Sequence, residues 1–439
     1  MGALCATACS SLDGRPASND AATEAPAADD ARGDVTFGTL SSTPDRSLSR
    51  AWPNSVTAAS VRLDEEHRFI LFAGASNDAE RDLSLTRLTA TGADARFASA
   101  DTLGFSRAPA RRGTARLQAV PRAAAVDRQG RIVTVGSGAA DSVRSGVAAR
   151  WLPDGALDMS FGTGGVSVIA APSDAVTRQL LWRALVIDDD GSLLVAGSDE
   201  IPYNVSTVGM YARITAAGAL DETLGVRYDR RFAGFSAMLR DGDGYVLAGS
   251  AVRGGAPTLL YLDASGRPRA DVGDAGAVAH TSEMASPMIV RAMLRDVDGG
   301  IVVAGGTGTG GASEWTQTPL RLVRYTASRA PDLAWADGGV LRAFTTAWWN
   351  FEMCHAGGLI PWTRGSFLVV GQEGYGFRVF RVLRGGRVDA AFGENGSLFA
   401  QPPGFQYVFE MLPDERGGLW VFYRANMEHA VAATHFPPA

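Results

Sequence analysis

A short apolar segment that ends in glycine recurs along most of the chain. The closing glycines are Gly74, Gly136, Gly197, Gly249, Gly305 and Gly371, which gives successive spacings of 62, 61, 52, 56 and 66 residues. In the clearest copy, Ala184–Asp188 is an apolar strand, Asp190 and Gly191 form a tight turn, and Ser192–Gly197 is the returning strand. A unit of this size cannot bury both of its faces, so neighbouring units must pack against each other.

A second pattern follows each of these hairpins. The third predicted strand carries an arginine in five units, namely Arg87, Arg150, Arg213, Arg324 and Arg381, and Tyr261 and His435 take its place in the other two. A turn-rich segment with an aspartate and an aromatic residue comes next, as in Leu157–Gly165 and Val388–Gly396. We expect the arginines and aspartates to pair within or between units, because a feature that is repeated in most units usually belongs to their stacking.

Seven units of four strands predict an all-β fold, a seven-bladed β-propeller of four-stranded antiparallel blades. The 52 glycines and the 46% hydrophobic residues fit many short strands joined by tight turns. The repeat resembles the delta-60 repeat family of bacterial β-propellers in its turn, its glycine-ended strand, its arginine strand and its Leu157–Gly165 segment. The resemblance covers most of the chain from about Gly33 onward, and it implies the architecture but no particular activity.

The first and last segments predict how the ring closes. The last unit ends after its third strand, Val431–Phe436, and Gly33–Gly38 matches Leu157–Gly162. We therefore expect Gly33–Gly38 to supply the fourth strand of the last blade, which would remove two open sheet edges at once. The predicted domains are residues 1–31, an N-terminal signal remnant and disordered linker, and residues 32–439, the propeller.

The N-terminus has two interpretations. Ala6-Thr7-Ala8-Cys9 resembles the end of a bacterial lipoprotein signal peptide, in which small residues precede an acylated cysteine, here Cys9. Residues 11–30 are rich in Ala, Ser, Asp and Pro, as in a solvated linker. The basic region and the apolar core of a signal peptide are missing. Either the true start lies upstream and Cys9 is the lipid anchor of an exported protein, or the segment is a disordered N-terminus.

Composition excludes several classes of protein. The net charge is -6, and all 41 basic residues are arginine, so bulk electrostatics do not favour a nucleic-acid partner. The three cysteines, Cys5, Cys9 and Cys354, cannot form a disulfide framework for the ring. His280 and His355 are too few for a ring of histidine metal ligands in the channel, so we predict no metal and no cofactor.

The first strand of each blade lines the central channel of a propeller. Five residues before the aspartates that end three of these strands lie Arg122, Arg183 and Arg291, and the same offset in other units gives Ala59, Ser236 and Phe409. Three guanidinium groups at one level could bind a carboxylate or a phosphate. The alternative is that each arginine pairs with a nearby aspartate or points into solvent. Trp182 and Trp349 are further candidates for ligand binding.

The sixth unit departs most from the repeat. It is rich in aromatic residues around Trp349, and it contains Glu352, Cys354 and His355, residue types that serve in acid–base or nucleophilic catalysis. Glu352 and His355 are therefore the catalytic candidates. Cys354 and His355 are adjacent, and adjacent strand residues point to opposite faces, which disfavours a direct Cys–His pair. The alternative is a buried cysteine among aromatic residues that pack the ring.

These observations support two hypotheses about function. The first is a non-enzymatic binding module of the cell envelope, in the periplasm or at the cell surface. It would be monomeric, attached to the membrane only through a lipid at Cys9, with an envelope protein, a peptide or a carbohydrate as its partner. The second is a propeller enzyme, a hydrolase or lyase, that acts on an anionic small molecule in the channel through Arg122, Arg183 and Arg291 with His355 and Glu352.

Overall fold

The structure is a computed structural model that describes part of the chain. The described residues are 40, 44, 46–50, 55–63, 69–76, 82–89, 92–94, 96–98, 105–140, 143–170, 179–200, 207–252, 255–306, 320–343, 358–373, 375–414, 416–425 and 430–438. Cys9 and the predicted linker lie outside them, as do Trp349, Glu352, Cys354 and His355. The predictions on those residues, and the division of the chain at residue 31, therefore stay predictions.

The described strands run as a series of meanders. The N-terminal strand is β1 (Arg46–Arg50). The first sheet contains β2 (Ser55–Leu63), β3 (Phe69–Ser76), β4 (Leu83–Thr89), β5 (Gly92–Ala93) and β6 (Phe105–Ala108), of which β5 and β6 both pair with β4. A separate hairpin follows, formed by β7 (Arg111–Arg112) and β8 (Ala115–Arg116). The second sheet contains β9 (Gln118–Val126), β10 (Ile132–Ala140), β11 (Val143–Trp151) and β12 (Val166–Ile169).

The next three sheets repeat this order. The third contains β13 (Gln179–Ile187), β14 (Leu193–Glu200), β15 (Thr207–Ile214) and β16 (Val226–Asp229). The fourth contains β17 (Phe232–Asp241), β18 (Gly244–Ala251), β19 (Pro257–Leu262) and β20 (Ala277–Ala279). The fifth contains β21 (Ile289–Arg295), β22 (Ile301–Gly306), β23 (Leu320–Tyr325) and β24 (Val340–Ala343), preceded by a 3-10 turn at Glu283–Ala285.

The last two sheets complete the set. The sixth contains β25 (Gly358–Pro361), β26 (Phe367–Glu373), β27 (Gly376–Val382) and β28 (Ser397–Ala400), with a 3-10 turn at Thr363–Gly365. The seventh contains β29 (Phe405–Pro413), β30 (Leu419–Ala425), β31 (Ala430–Phe436) and the N-terminal strand β1. Neighbouring strands within each sheet pair antiparallel, and one parallel bridge from Arg144 to Gln179 joins the second and third sheets.

The seven first strands lie next to each other. In the order β2, β9, β13, β17, β21, β25 and β29, each contacts the one that follows, and β29 contacts β2. First strands that meet in this cyclic order are the inner strands of a propeller. Within the described ranges, the structure thus confirms the predicted all-β fold of seven four-stranded antiparallel sheets, with β5 and β6 sharing the fourth position of the first sheet.

Strand β1 enters the last sheet from the other end of the chain. Its residues pair antiparallel with β31, from Arg46 opposite His435 to Arg50 opposite Val431. Leu40 also forms a bridge with Pro438. The described outer strand of this sheet therefore lies later than the predicted segment 33–38. That segment is outside the described residues, and its contribution stays a prediction.

The apolar core lies between the sheets. Each of the six described core clusters combines residues from two neighbouring sheets. Adjacent residues of one strand serve different clusters: Ala123 packs towards the third sheet and Ala124 towards the first. Because strand side chains alternate between faces, the inner strands are apolar on both sides, which explains their continuous apolar runs.

The repeated arginine joins two sheets. Arg150 Nε donates to Asp158 Oδ2 at 2.7 Å, and its Nη1 donates to the carbonyl of Ala216 in the third sheet at 2.8 Å. Its guanidinium carbon lies 4.7 Å from the ring centre of Phe161. The Arg150 and Asp158 side chains are only 4% and 10% exposed. The predicted arginine–aspartate pairing is thus confirmed here, and the same arginine also bonds the next blade.

The pattern extends to other sheets, with one exception. Arg87 contacts Asp94, the carbonyl of Pro153 and the ring of Phe97 in the same way, while Arg324 pairs with Asp332 and Arg381 with Asp389. In the third sheet, Arg213 instead donates to the Tyr245 hydroxyl at 3.0 Å and to the Ala264 carbonyl at 2.6 Å. The contact with the following sheet is therefore retained even where the partner within the sheet changes.

The Asp158 carboxyl should make stability depend on pH. Burial raises its pKa, but hydrogen bonds from Ser160 and the charge of Arg150 outweigh burial, so its pKa lies below the ordinary value. A carboxyl group whose pKa is lowered in the folded state stabilises the fold at pH values above its ordinary, unfolded-state pKa. This stabilisation is lost as the pH falls through the folded-state pKa. We expect the loss of unfolding free energy between about pH 7 and about pH 3 to be smaller in Asp158→Asn than in the parent chain.

Urea titrations at the two pH values measure this effect. Asp189→Asn is the matched control, because it removes a carboxylate whose side chain is 73% exposed. An Asp158→Asn variant with the same pH dependence as the parent chain would show that this carboxyl does not contribute.

Candidate ligand-binding site

Six of the inner strands carry a β-bulge at the same place. In β9, Pro121 pairs with Gly136 and Ala123 pairs with Val135. Arg122 is therefore an extra residue with no residue opposite it on β10. Corresponding register shifts in the other strands single out Ala59, Arg183, Ser236, Arg291 and Phe409. These are the six positions that the sequence offset selected. The offset therefore identified structurally equivalent residues, although it did not predict the bulge.

The bulge explains the recurring glycine. A Cβ atom on Gly136, Gly197, Gly249 or Gly305 would lie 1.8 to 2.1 Å from a backbone carbonyl oxygen. The oxygen always belongs to the residue two positions before the bulge residue, for example the Leu181 oxygen at Gly197. Only glycine allows the strands to approach this closely. The most regular feature of the sequence is thus a requirement of the bulge that orients the candidate site.

Gly197→Ala should destabilise the protein strongly. The new Cβ would lie 1.8 Å from the Leu181 carbonyl oxygen, and a backbone atom cannot move aside without displacing the strand. We expect a loss of about 3 kcal/mol in the free energy of unfolding, as for a severe overpacking change. Chemical unfolding measures it. Gly385→Ala is the control, because nothing lies within 4 Å of its Cβ position. Equal stability of the two variants would contradict the role assigned to the glycine.

The bulges place three arginines at equivalent heights around the centre. A bulge re-aims the side chain of the extra residue. Arg122 is buried, with 8% of its surface exposed, whereas Arg183 and Arg291 are half-buried. Arg183 Nε donates to Ser198 Oγ on the neighbouring strand β14 at 3.4 Å. The structure thus places Arg122, Arg183 and Arg291 at the same level of the inner wall, and their role in binding stays a prediction.

Glu410 is a residue of this level that sequence reasoning missed. It follows the bulge residue Phe409 in β29, and it is 1% exposed. The corresponding position after the bulge holds alanine in four other inner strands, namely Ala123, Ala184, Ala237 and Ala292. A carboxylate where the repeat has a methyl group was the signal that could have found it. The seventh sheet therefore buries a carboxyl group at a position where four other sheets bury alanine between blades.

Trp182 has a different environment from the one expected of a ligand contact. Its side chain is fully buried in the cluster between the second and third sheets. The indole lies over Gly146 of β11, where a Cβ atom would be 1.9 Å from the indole nitrogen. Trp182 therefore packs between blades and exposes no surface to a ligand.

The described residues offer neither a cluster of metal ligands nor a membrane-spanning helix. No group of three or more His, Cys, Asp and Glu side chains in these ranges could hold a metal ion. No helix among them is long and apolar enough to cross a membrane.

Comparisons with known proteins find similar structures but no sequence family. No family model matches the chain, and no curated protein matches it either. The polysaccharide lyase Uly1 has a TM-score of 0.47 at 10% identity over 89% of this chain and 91% of its own. The Dos1 propeller has a TM-score of 0.47 at 10% identity over 92% of this chain and 97% of its own.

Drosophila Semaphorin 2a has a TM-score of 0.45 at 9% identity over 92% of this chain and 77% of its own. At TM-scores below 0.5, these similarities carry no argument about what the chain binds or catalyses. The resemblance to the delta-60 repeat family likewise stays a prediction, and the strand pairing of the chain itself supports its architecture.

Proposed function

We propose that the chain is a non-enzymatic binding module, and that its inner wall holds an acidic group of a protein, peptide or carbohydrate partner. The observation that carries this proposal is the set of Arg122, Arg183 and Arg291 at equivalent bulges of three inner strands. Guanidinium groups match carboxylates and phosphates in geometry as well as charge.

The setting of these arginines favours binding. They project from rigid, paired strands, so little conformational entropy is lost when a ligand orders them. Their partial burial strengthens the electrostatic attraction relative to water. The three arginines therefore supply the contacts to the ligand, and an acidic peptide or an acidic sugar offers the carboxylate that guanidinium groups bind.

The location of the protein is part of the proposal. The resemblance of residues 6–9 to the end of a lipoprotein signal peptide supports export to the periplasm or cell surface, with a lipid anchor at Cys9. We also propose that the module acts as a monomer. Membrane fractionation and intact-mass measurement of the parent chain and Cys9→Ala test the anchor. An unmodified parent chain that stays in the cytosol would remove the export part of the proposal.

Closure of the ring by the N-terminal segment belongs to the same proposal. Pairing of β1 with β31 supports it, because the strand from the start of the chain covers the outer edge of the last sheet. A rigid ring keeps the inner strands, and therefore the three arginines, at fixed spacing.

Substitution of the three arginines tests the binding function. We expect Arg122→Gln, Arg183→Gln and Arg291→Gln each to weaken the binding of an acidic probe by about tenfold, since a hydrogen bond to a charged group contributes about 1.5 kcal/mol or more. The probes are a tetraglutamate peptide and a galacturonate oligomer, measured by calorimetry at low salt. Arg227→Gln is the control, because Arg227 is exposed on the outermost strand of the third sheet.

The outcomes separate the hypotheses. Equal affinity of all four variants and the parent chain would contradict the site. Chromatography of the probes after incubation gives a second readout, and cleavage of either probe would favour the propeller enzyme over the binding module.

A further inference from the structure

Two arginines face each other on the outer strands of the fifth sheet. Arg321 in β23 lies directly opposite Arg342 in β24. Side chains at directly opposed positions of an antiparallel pair are neighbours, and like charges there are destabilising. The pair is therefore a local cost to the fold that other contacts must offset.

The contacts of Arg321 do not offset this cost. Its Nη1 donates to the carbonyl oxygen of Pro287 at 3.0 Å. Its Nε atom is buried and has no hydrogen-bond partner within the described part of the chain. Burial, and then the charge of Arg342, lower the pKa of Arg321. Arg342 is exposed. The positive charge of the pair thus has no carboxylate partner among the residues described.

The sixth sheet also has an arginine at this position, and there the arginine has two partners. Arg378 corresponds to Arg321, because each pairs with the closing glycine of its sheet, Gly371 and Gly305. The residue opposite Arg378 is Phe399, whose ring lies 4.8 Å from the guanidinium carbon. Arg378 also pairs with the carboxylate of Glu373.

The fifth sheet lacks both of these partners in its sequence. The aromatic residue is replaced by Arg342, and the position two residues after the glycine, which holds Glu373 in the sixth sheet, holds Thr307. The sheet has therefore exchanged a carboxylate and an aromatic ring for a hydroxyl and a second positive charge. A negative group from outside the chain can take the place of the missing carboxylate.

We propose that Arg321 and Arg342 form a binding site for a tetrahedral oxyanion, a phosphate or sulfate group. Two guanidinium groups on adjacent strands present several N–H donors towards one anion. Hydrogen bonds between charged groups are stronger than neutral ones, and the anion also neutralises the positive charge of the two arginines. The outer N–H groups of the two guanidinium groups supply the donors. This site is separate from the inner wall, since β23 and β24 are the two outer strands of their sheet.

Chemical modification of arginine tests the site locally. Phenylglyoxal reacts with accessible arginines, and peptide mass spectrometry reports the rate at each residue. We expect about 10 mM inorganic phosphate to slow the modification of Arg342 roughly tenfold, as for a Kd of about 1 mM. Sodium chloride at equal ionic strength should give no protection. Arg387 is the internal control, because it is exposed and belongs to a turn of the sixth sheet.

Further arms identify the source of the anion. Free sulfate and dextran sulfate are compared at equal sulfate concentration. Whichever slows the modification of Arg342 more shows whether the site prefers a free anion or a sulfate group carried by a larger molecule. In Arg321→Gln, phosphate should no longer protect Arg342. The proposal fails if phosphate leaves the rate at Arg342 unchanged, protects Arg387 equally, or protects Arg342 equally in Arg321→Gln. None of these results depends on Arg122, Arg183 or Arg291, so failure here leaves the proposed function standing.

Discussion

Removal of residues 1–50 should lower the free energy of unfolding by about 4 kcal/mol or more, since the loss of a buried leucine alone costs about 2–5 kcal/mol. The deletion takes away β1, whose five residues pair with β31. It also takes away Leu40, which is 4% exposed in the core cluster of the sixth and seventh sheets. The outer edge of the seventh sheet is then exposed to solvent and to pairing with other chains.

A shorter deletion is the matched control for this result. Removal of residues 1–31 takes away the predicted linker and leaves Leu40 and β1 in place, so its urea unfolding curve should match that of the full chain. If removal of residues 1–50 also leaves the curve unchanged, the N-terminal strand does not hold the ring together.

Arg150→Ala should cost about 3–5 kcal/mol of stability, because removing one partner of a buried ion pair leaves the other charge uncompensated. The variant loses the bond to Asp158, the bond to the Ala216 carbonyl of the next sheet, and the contact with the Phe161 ring. Arg150→Lys should fall between the parent chain and Arg150→Ala, because lysine keeps the charge but lacks the planar fork that makes both bonds.

The control for Arg150→Ala is an exposed ion pair between the second and third sheets, the two sheets that the Arg150 bond to Ala216 joins. Arg128 pairs with Asp189 at 3.0 Å, but the two side chains are 51% and 73% exposed. An exposed pair contributes only about 0–1 kcal/mol, so Arg128→Ala should be nearly neutral in chemical unfolding. Similar losses in Arg128→Ala and Arg150→Ala would show that burial of the repeated arginine is not what stabilises the contact between sheets.

The repeat was predictable from sequence because one physical constraint fixes its most visible residue. A backbone carbonyl approaches Gly197 and its counterparts so closely that no other residue fits. Glycine therefore recurs once per blade, and its spacing in the sequence reveals the blades. The equivalent positions of Arg122, Arg183 and Arg291 followed from an offset to the turn aspartates. Their bulges could not be predicted, because a register shift depends on the partner strand.

Other features escaped prediction for local reasons. The copy of the turn segment at Asp94 and Phe97 has alanine where clearer copies have leucine or glycine, so it was overlooked. The described outer strand of the last sheet, Arg46–Arg50, lies later than the matched segment 33–38, just as β12 begins at Val166, after the Leu157–Gly165 turn segment. The opposition of Arg321 and Arg342 depends on the register of two strands that are separated by a long turn.

A crystal structure of the chain soaked in selenate, with the anion located by its anomalous scattering, tests most directly whether the three arginines form one site. We expect a peak at the inner wall, within hydrogen-bond distance of at least two of Arg122, Arg183 and Arg291. Side chains of these arginines that point away from a shared space, with no anion at their level, would contradict it.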